Sequence, residues 1–279
     1  MQSQSRKRKT STYLLGAFFT VFVVFLYGPM ITIFVLSFQG PTGGMTFPLV
    51  NPSTHWFRDL FISTRYGDLG GSFWRSIAMG LAALMITSVV CFFSGLAFRK
   101  RFVGSGPLFY MTIISLVIPG LLLSFGIGQL FQLMGWKLHW SLSGLGAHLS
   151  WTLPFGLLIM FAVLNRFDDA WEEAARDAGA TPSQVLSYVT LPILFPGLIA
   201  VALFGFTLSY DEFPRSLLTL GTRNTLPLEV ANMTSSVTTP ALYAIGTITT
   251  IMSFIVIALA FAAIALIQRR RIARGKQSH

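Results

Sequence analysis

The stretch NRFDDAWEEAARDAGATPSQVLSYVTLP, positions 165–192, is a polar segment set between two long apolar runs. It holds five of the chain's ten acidic residues: Asp168, Asp169, Glu172, Glu173 and Asp177. Two helix starts can be read from it. Asp169-Ala-Trp-Glu172 has the form of a capping box, in which the first side chain accepts from backbone N–H groups and the glutamate reaches back. Thr181-Pro-Ser-Gln184 is a second, with proline at the first helical position. Gly179 suits the left-handed residue that closes the first helix, and Pro192 is expected to stop the second. The spacing therefore predicts a short helix, a glycine turn and another short helix. Ala170, Ala174 and Ala178 recur at i, i+4 and i+8, giving the first helix a narrow face of small side chains. Such a face admits close approach of another surface, either a partner or the rest of this chain.

Outward from this polar island the chain is apolar. Of 279 residues, 53% are hydrophobic and 11% charged, with mean hydropathy +0.66; soluble domains carry about 25% charged residues. A helix crossing a bilayer needs about 20 apolar residues. Six segments qualify, 13–36, 74–98, 108–133, 145–164, 193–210 and 244–267, so the expected fold class is an all-α membrane protein with six transmembrane helices. The first apolar run is longer than the roughly 7–15 residues of a signal-peptide core and is followed by no small-x-small site, so it reads as an uncleaved span. Pro119-Gly120, Pro154-Phe-Gly156 and Pro196-Gly197 are expected to interrupt the third, fourth and fifth spans. Breaks of that kind survive in lipid only where protein or a cavity satisfies the freed backbone groups. The loop 39–73 contains Trp56, Phe57, Leu60 and Phe61, which would anchor a short interfacial helix. Without internal repeats, the chain reads as one domain, 1–279.

The net charge of +10 is concentrated beside the apolar runs, at Arg6–Lys9, at Arg99, Lys100 and Arg101, and at Arg269, Arg270, Arg271, Arg274 and Lys276. Basic residues flanking spans are an orientation signal, not a nucleic-acid surface. With the N-terminus inside, the inner segments hold 14 Lys and Arg against 6 outside. Both termini are thus expected in the cytoplasm, as basic tails 1–12 and 268–279, with the loop 165–192 on the same side. Cys91 is the only cysteine, and His55, His139, His148 and His279 have no metal-ligand spacing. Neither a catalytic constellation nor a G-x-x-x-x-G-K-[ST] phosphate loop occurs, so no catalytic residue, metal site or cofactor is expected on this chain.

Glu173-Ala174-Ala175, three residues, Gly179, then Val189-Thr190-Leu191-Pro192 resembles the EAA loop of ABC-importer permeases, E-A-A-x3-G-x9-I-x-L-P, with Val189 in place of isoleucine. The resemblance implies a type I importer permease fold over nearly all of the chain, in a bacterial inner membrane. It also implies that residues 165–192 are a coupling loop docking onto a pair of separate ATPase subunits, which bind ATP and Mg. Glu172, Glu173, Ala174, Ala175, Gly179, Leu191 and Pro192 are the residues expected to carry that coupling.

Asp211 and Glu212 follow Ser209-Tyr210 at the outer end of the fifth span. Adjacent carboxylates there are costly to bury and attract a cation; a solvated helix end is the alternative. Glu229 and the Tyr210 ring would complete a cation-binding path, unless Arg215 and Arg223 neutralise the carboxylates. Phe206-Thr-Leu-Ser-Tyr-Asp-Glu-Phe213, Leu226-Pro-Leu-Glu229 and Thr238-Thr-Pro240 are similar to permeases of the spermidine/putrescine class. That resemblance implies a polyamine delivered by an extracytoplasmic binding protein, and a second, related permease as heterodimer partner. Two other readings are an ABC importer for another small organic molecule and a secondary transporter driven by an ion gradient. The latter requires a coupling-ion site at mid-depth, usually with inverted repeats. A purely structural membrane protein would leave the loop unexplained.

Overall fold

A computed structural model describes residues 2–100, 102–236 and 238–275. Arg101 and Lys276, counted in the basic clusters above, lie outside the described residues, as does the end of the tail 268–279. All regular secondary structure among the described residues is helical, with no strand. In order they form α1 (Gln2–Leu36), α2 (His55–Ile62), α3 (Leu69–Arg99), α4 (Ser105–Val117), α5 (Gly120–Leu133), α6 (Leu145–Leu164), α7 (Ala170–Asp177), α8 (Pro182–Gln184), α9 (Leu191–Tyr210), α10 (Leu226–Ser236) and α11 (Ala241–Gly275). Two wide turns of π geometry, Trp140–Gly144 and Val185–Thr190, lead into α6 and α9.

Five helical stretches are long and apolar enough to cross a membrane: Thr12–Leu36, Leu69–Arg99, Trp140–Leu164, Pro182–Tyr210 and Ala241–Leu259. The third expected span is instead the pair α4 and α5, bent by 107°. The count is six only if that pair is one span. Of the three proline sites expected to interrupt spans, this is the one that does. Ile118 (ψ 123°) and Pro119 (ψ 129°) are both extended, the conformation favoured for a residue before proline and here adopted by the proline as well. Pro154 and Pro196 instead lie inside unbroken α6 and α9. Tight packing of both helices holds them in line across the missing donor.

The chain forms two compact units. One comprises the chain up to Gly67 with Met233–Met252. Within it the α1 side chains described from Thr12 onward are largely exposed, Phe18 by 71% and Phe25 by 80%, as lipid-facing side chains are. The loop after α1 is organised by Gln39, fully buried. Its amide nitrogen donates to the carbonyls of Gly44, Thr46 and Pro48, and its oxygen accepts from the Val50 N–H at 2.6 Å. The short helix expected around Trp56 is α2. Trp56 and Leu60 turn inward, Phe57 packs beside Phe38, and Phe61 remains exposed.

The second unit, Asp68–Asn232 with the chain from Ser253, contains the loop of interest. Asp68 caps α3 by accepting from the Gly71 N–H at 2.9 Å. Helices α3, α6 and α9 pack on one another around Cys91, Phe92, Leu157, Met160, Leu164, Leu194 and Val201. They approach closely at Gly156, where a Cβ would stand 2.6 Å from the Thr87 methyl and 2.8 Å from Cys91 Sγ. Between apolar helices, small residues and cross-helix hydroxyl bonds supply what hydrophobicity cannot; Thr87 and Thr152 bond at 2.9 Å beside this contact. Helix α10 went unread in the sequence, although Thr225-Leu-Pro227 has the threonine and early proline of a helix start.

Candidate functional site

The loop 165–192 folds as helix, turn, helix, with one of its two predicted caps. Thr181 and Gln184 form the reciprocal capping box, Thr181 N–H donating to Gln184 Oε1 at 2.8 Å and Gln184 N–H to Thr181 Oγ1 at 3.4 Å. Asp169 does not cap α7. It has helical backbone angles, and its carboxylate pairs with Arg99. The neighbouring Asp168 accepts from the Ala170 N–H at 3.0 Å instead. A guanidinium is a stronger partner for a carboxylate than a backbone amide, so Arg99, distant in sequence, takes both acids of the predicted box.

Gly179 ends α7 at φ +86°. Its N–H donates to the Arg176 carbonyl at 2.9 Å, and the Ala180 N–H donates to the Ala175 carbonyl at 3.0 Å. These are the two bonds of a Schellman turn. Pro192 does not stop the second helix. The π turn Val185–Thr190 widens the backbone there, the Leu191 N–H reaching back to the Leu186 carbonyl. Pro192 then stands in the first turn of α9, where a missing donor is harmless. The loop thus runs without a break into the span.

Glu172 is the hub of the loop. Its side chain is 12% exposed. Oε1 accepts from Arg99 Nη1 at 2.8 Å and from Thr190 Oγ1 at 2.7 Å, and Oε2 from Arg176 Nη2 at 3.0 Å. The Arg99 guanidinium also lies 4.8 Å from the centre of the Phe167 ring. Burial pushes the Glu172 carboxyl up, but the bonds from Arg99 and Thr190 and the charges of Arg99 and Arg176 outweigh it, leaving its pKa below the ordinary 4.5. A lowered folded pKa stabilises above the unfolded value and loses that contribution as pH falls through the folded one. Slow hydrogen exchange at residues 170–180 should therefore persist as pH drops to 4.5 and fade only below it. In Glu172→Gln this acid-dependent loss should disappear; loss already near neutral pH in the native chain would contradict the pairing.

With Glu172 turned inward, the opposite side of α7 is free. Glu173, Ala174, Asp177 and Ala178 are exposed, with Ala170 and Trp171 beside them, so the small-residue face is left open by the described residues. Ala175 is half-buried, Leu191 borders on exposed, and Pro192 is half-buried.

The residues proposed to line a substrate path go to separate surroundings. Glu212 is 7% exposed and pairs with Arg215, 5% exposed, at 3.2 Å. Arg215 stacks over the Trp151 ring at 4.2 Å. Its neutralising role is the alternative weighed from the sequence. Asp211, next in line, is exposed and makes no ion pair among the described residues. Glu229 accepts from Asn224 at 2.6 Å, and the buried Tyr210 ring stacks on Phe206. Sequence reasoning missed His148, buried in α6 with its two ring nitrogens against Ser209 and Ser216 hydroxyls at 2.9 and 3.0 Å. Its polar ring within an apolar run was the available signal.

An apolar helical bundle that presents a short, braced polar helix between two spans has the form expected of a membrane permease. The family comparison agrees. Residues 88–273 match the model of the binding-protein-dependent transport system inner membrane component, and the chain belongs to that family. It is a multi-pass inner-membrane subunit of an ABC importer, a class that works with an ATPase and a substrate-binding protein. Among curated relatives it is 28% identical over 250 residues to the spermidine/putrescine transport system permease protein PotC of Haemophilus influenzae, covering 88% of this chain and 95% of that one. It is 29% identical over 154 residues to the putrescine transport system permease protein PotI of Escherichia coli strain K12, covering 53% and 55%. Among solved structures, a bacterial ABC transporter importing the acidic polysaccharide alginate superposes with TM-score 0.65 at 17% identity, covering 93% of this chain and 97% of that one. The MetNI methionine ABC transporter gives 0.58 at 16%, covering 71% and 95%. The fold is that of ABC-importer permeases.

Proposed function

We propose that this chain moves polyamines, spermidine or putrescine, inward, coupling their passage to ATP hydrolysis through residues 165–192. The observation that carries the coupling is the exposed small-residue face of α7, held rigid by Glu172 and by the turn at Gly179. Ala170, Ala174 and Ala178 would seat in a cleft of an ATPase subunit, with Glu173 at the rim and Ala175, Leu191 and Pro192 fixing the joint to the bundle. ATP and Mg bind on that subunit, and closure of the ATPase pair would drive the spans between inward-open and outward-open states. Both termini and the loop then lie in the cytoplasm, as the basic residues favour.

The substrate reading is supported by the relatives named above, which transport spermidine and putrescine. A second, related permease as heterodimer partner and an extracytoplasmic binding protein belong to the same reading. Because Arg215 already neutralises Glu212, the charge available to a cationic substrate near this end of α9 is that of Asp211. Cells lacking the gene should lose uptake of labelled spermidine or putrescine, with competition by unlabelled amines and not by sulfate. Asp211→Asn should lower uptake roughly tenfold or more, the weight of one charge-assisted contact. Uptake unaffected by deletion in a strain with no other polyamine importer would refute the substrate class and leave the importer fold intact.

A further inference from the structure

The inner side of α7 is as specifically built as its outer side. Arg99 is the last residue of α3, and its guanidinium reaches across to α7, pairing with Asp169 and with Glu172 Oε1 at 2.8 Å. The same Glu172 oxygen accepts from Thr190, 2% exposed, in the π turn that opens α9. One carboxylate oxygen therefore joins three elements separated by 73 and 18 positions in the chain. Arg176, on the next turn of α7, holds the other oxygen at 3.0 Å, and Phe167 packs beneath the guanidinium. A planar guanidinium with two carboxylates and a ring face in fixed positions has little freedom to pivot.

We infer that Arg99, Glu172 and Thr190 form a brace through which movement of α7 passes directly to α3 as well as to α9. This deepens the coupling function proposed above and rests on it. The covalent chain connects α7 back to α6 through residues 165–169, not directly to α3, and onward to α9 through Gly179 and the capped turn at Thr181. Glycine is the most compliant backbone position in that link, so a push on α7 could be spent in bending it. The brace supplies a side-chain connection to α3 and α9 that does not run through that glycine. Helices α3 and α9 pack along each other, so holding both ends to one helix moves them as a pair. Arg99 and Glu172 are thus positioning residues, neither touching substrate nor taking part in ATP chemistry.

The test uses the complete importer, with its ATPase, partner permease and binding protein, reconstituted in vesicles. The readout is labelled substrate imported per ATP hydrolysed. Arg99→Met and Glu172→Gln should each lower that ratio roughly 2- to 30-fold, the range for substitutions within a coupling network. ATP hydrolysis should fall less than import. Glu172→Gln keeps side-chain volume, and its result stands if Arg99→Met fails to assemble. In a Cys91→Ala background, Arg99→Cys with Glu172→Cys should behave like the single variants and recover when a short bis-maleimide, adding one thiol to each of its double bonds, restores the connection. An unchanged ratio in both single variants overturns the brace. So does a lowered ratio that cross-linking does not restore, since the contact would then act by charge and not as a strut. The underlying coupling reading fails separately, if Ala174→Cys in the otherwise native complex gives no cross-link to the ATPase subunit.

Discussion

Gly179→Val is expected to stop substrate movement while leaving the chain inserted in the membrane. At φ +86° the residue occupies backbone space that a β-branched side chain scarcely enters. Among the described residues nothing lies within 4 Å of the position a Cβ would take, so the Cβ itself meets no neighbour. The penalty is the backbone's own, about 1–3 kcal/mol, and the turn can escape it by giving up the two bonds from Gly179 and Ala180 to the end of α7. The helix would then point elsewhere relative to α9. Import should fall by an order of magnitude or more, which is what about 1.4 kcal/mol or more of misplacement produces. Gly179→Asn should retain much of the activity, because asparagine tolerates the left-handed region. Transport assays alongside a membrane-fraction blot decide the matter: a Val variant that imports normally would show that the turn's geometry is not needed.

Glu212→Ala is expected to give the largest loss of stability from a single side chain. It leaves the Arg215 guanidinium, 5% exposed, without its carboxylate, and Arg215 Nε already has no hydrogen-bond partner among the described residues. Breaking one half of a buried pair costs about 3–5 kcal/mol, whereas replacing both halves with apolar groups of similar size can be neutral. The effect should be local. Glu212 also holds the Arg215 N–H at 3.0 Å, while its carbonyl accepts from Ser216, which faces His148. The turn after α9 would loosen with it. Thermal unfolding of the purified complex should show a much lower midpoint for Glu212→Ala than for Glu212→Leu with Arg215→Met. Equal midpoints for the two would mean that water reaches the guanidinium and the pair is not a buried one.

These two sites differ in how far they could be read in advance. Gly179 was legible, because a glycine that follows a capped helix and precedes a second cap has one common use. The Thr181 box was legible for the same reason: its partners lie three residues apart, within reach of local geometry. The Asp169 box was not realised, since Arg99 is 70 positions away and pairing at that separation exists only once α3 and α7 share an end of the bundle. Pro119 broke its helix, while Pro154 and Pro196 did not; all three lack the same donor, and only the neighbours of the latter two hold the chain straight. Asp211 and Glu212, adjacent in sequence, ended in opposite surroundings because Arg215 turns back over Trp151 and takes one of them.

The amino-acid sequence alone determined the helical class, the apolar stretches, the existence of a polar helix–turn–helix between two spans and the family it signals. Each follows from composition, period or spacing over a few turns of chain, where the energetics are local. The tertiary structure decided which carboxylates are engaged and which are free, where a proline bends a helix, and which face of α7 stays open. Those outcomes depend on charges and surfaces brought together from far apart in the chain, and a buried ion pair has no strength until both of its members have left water.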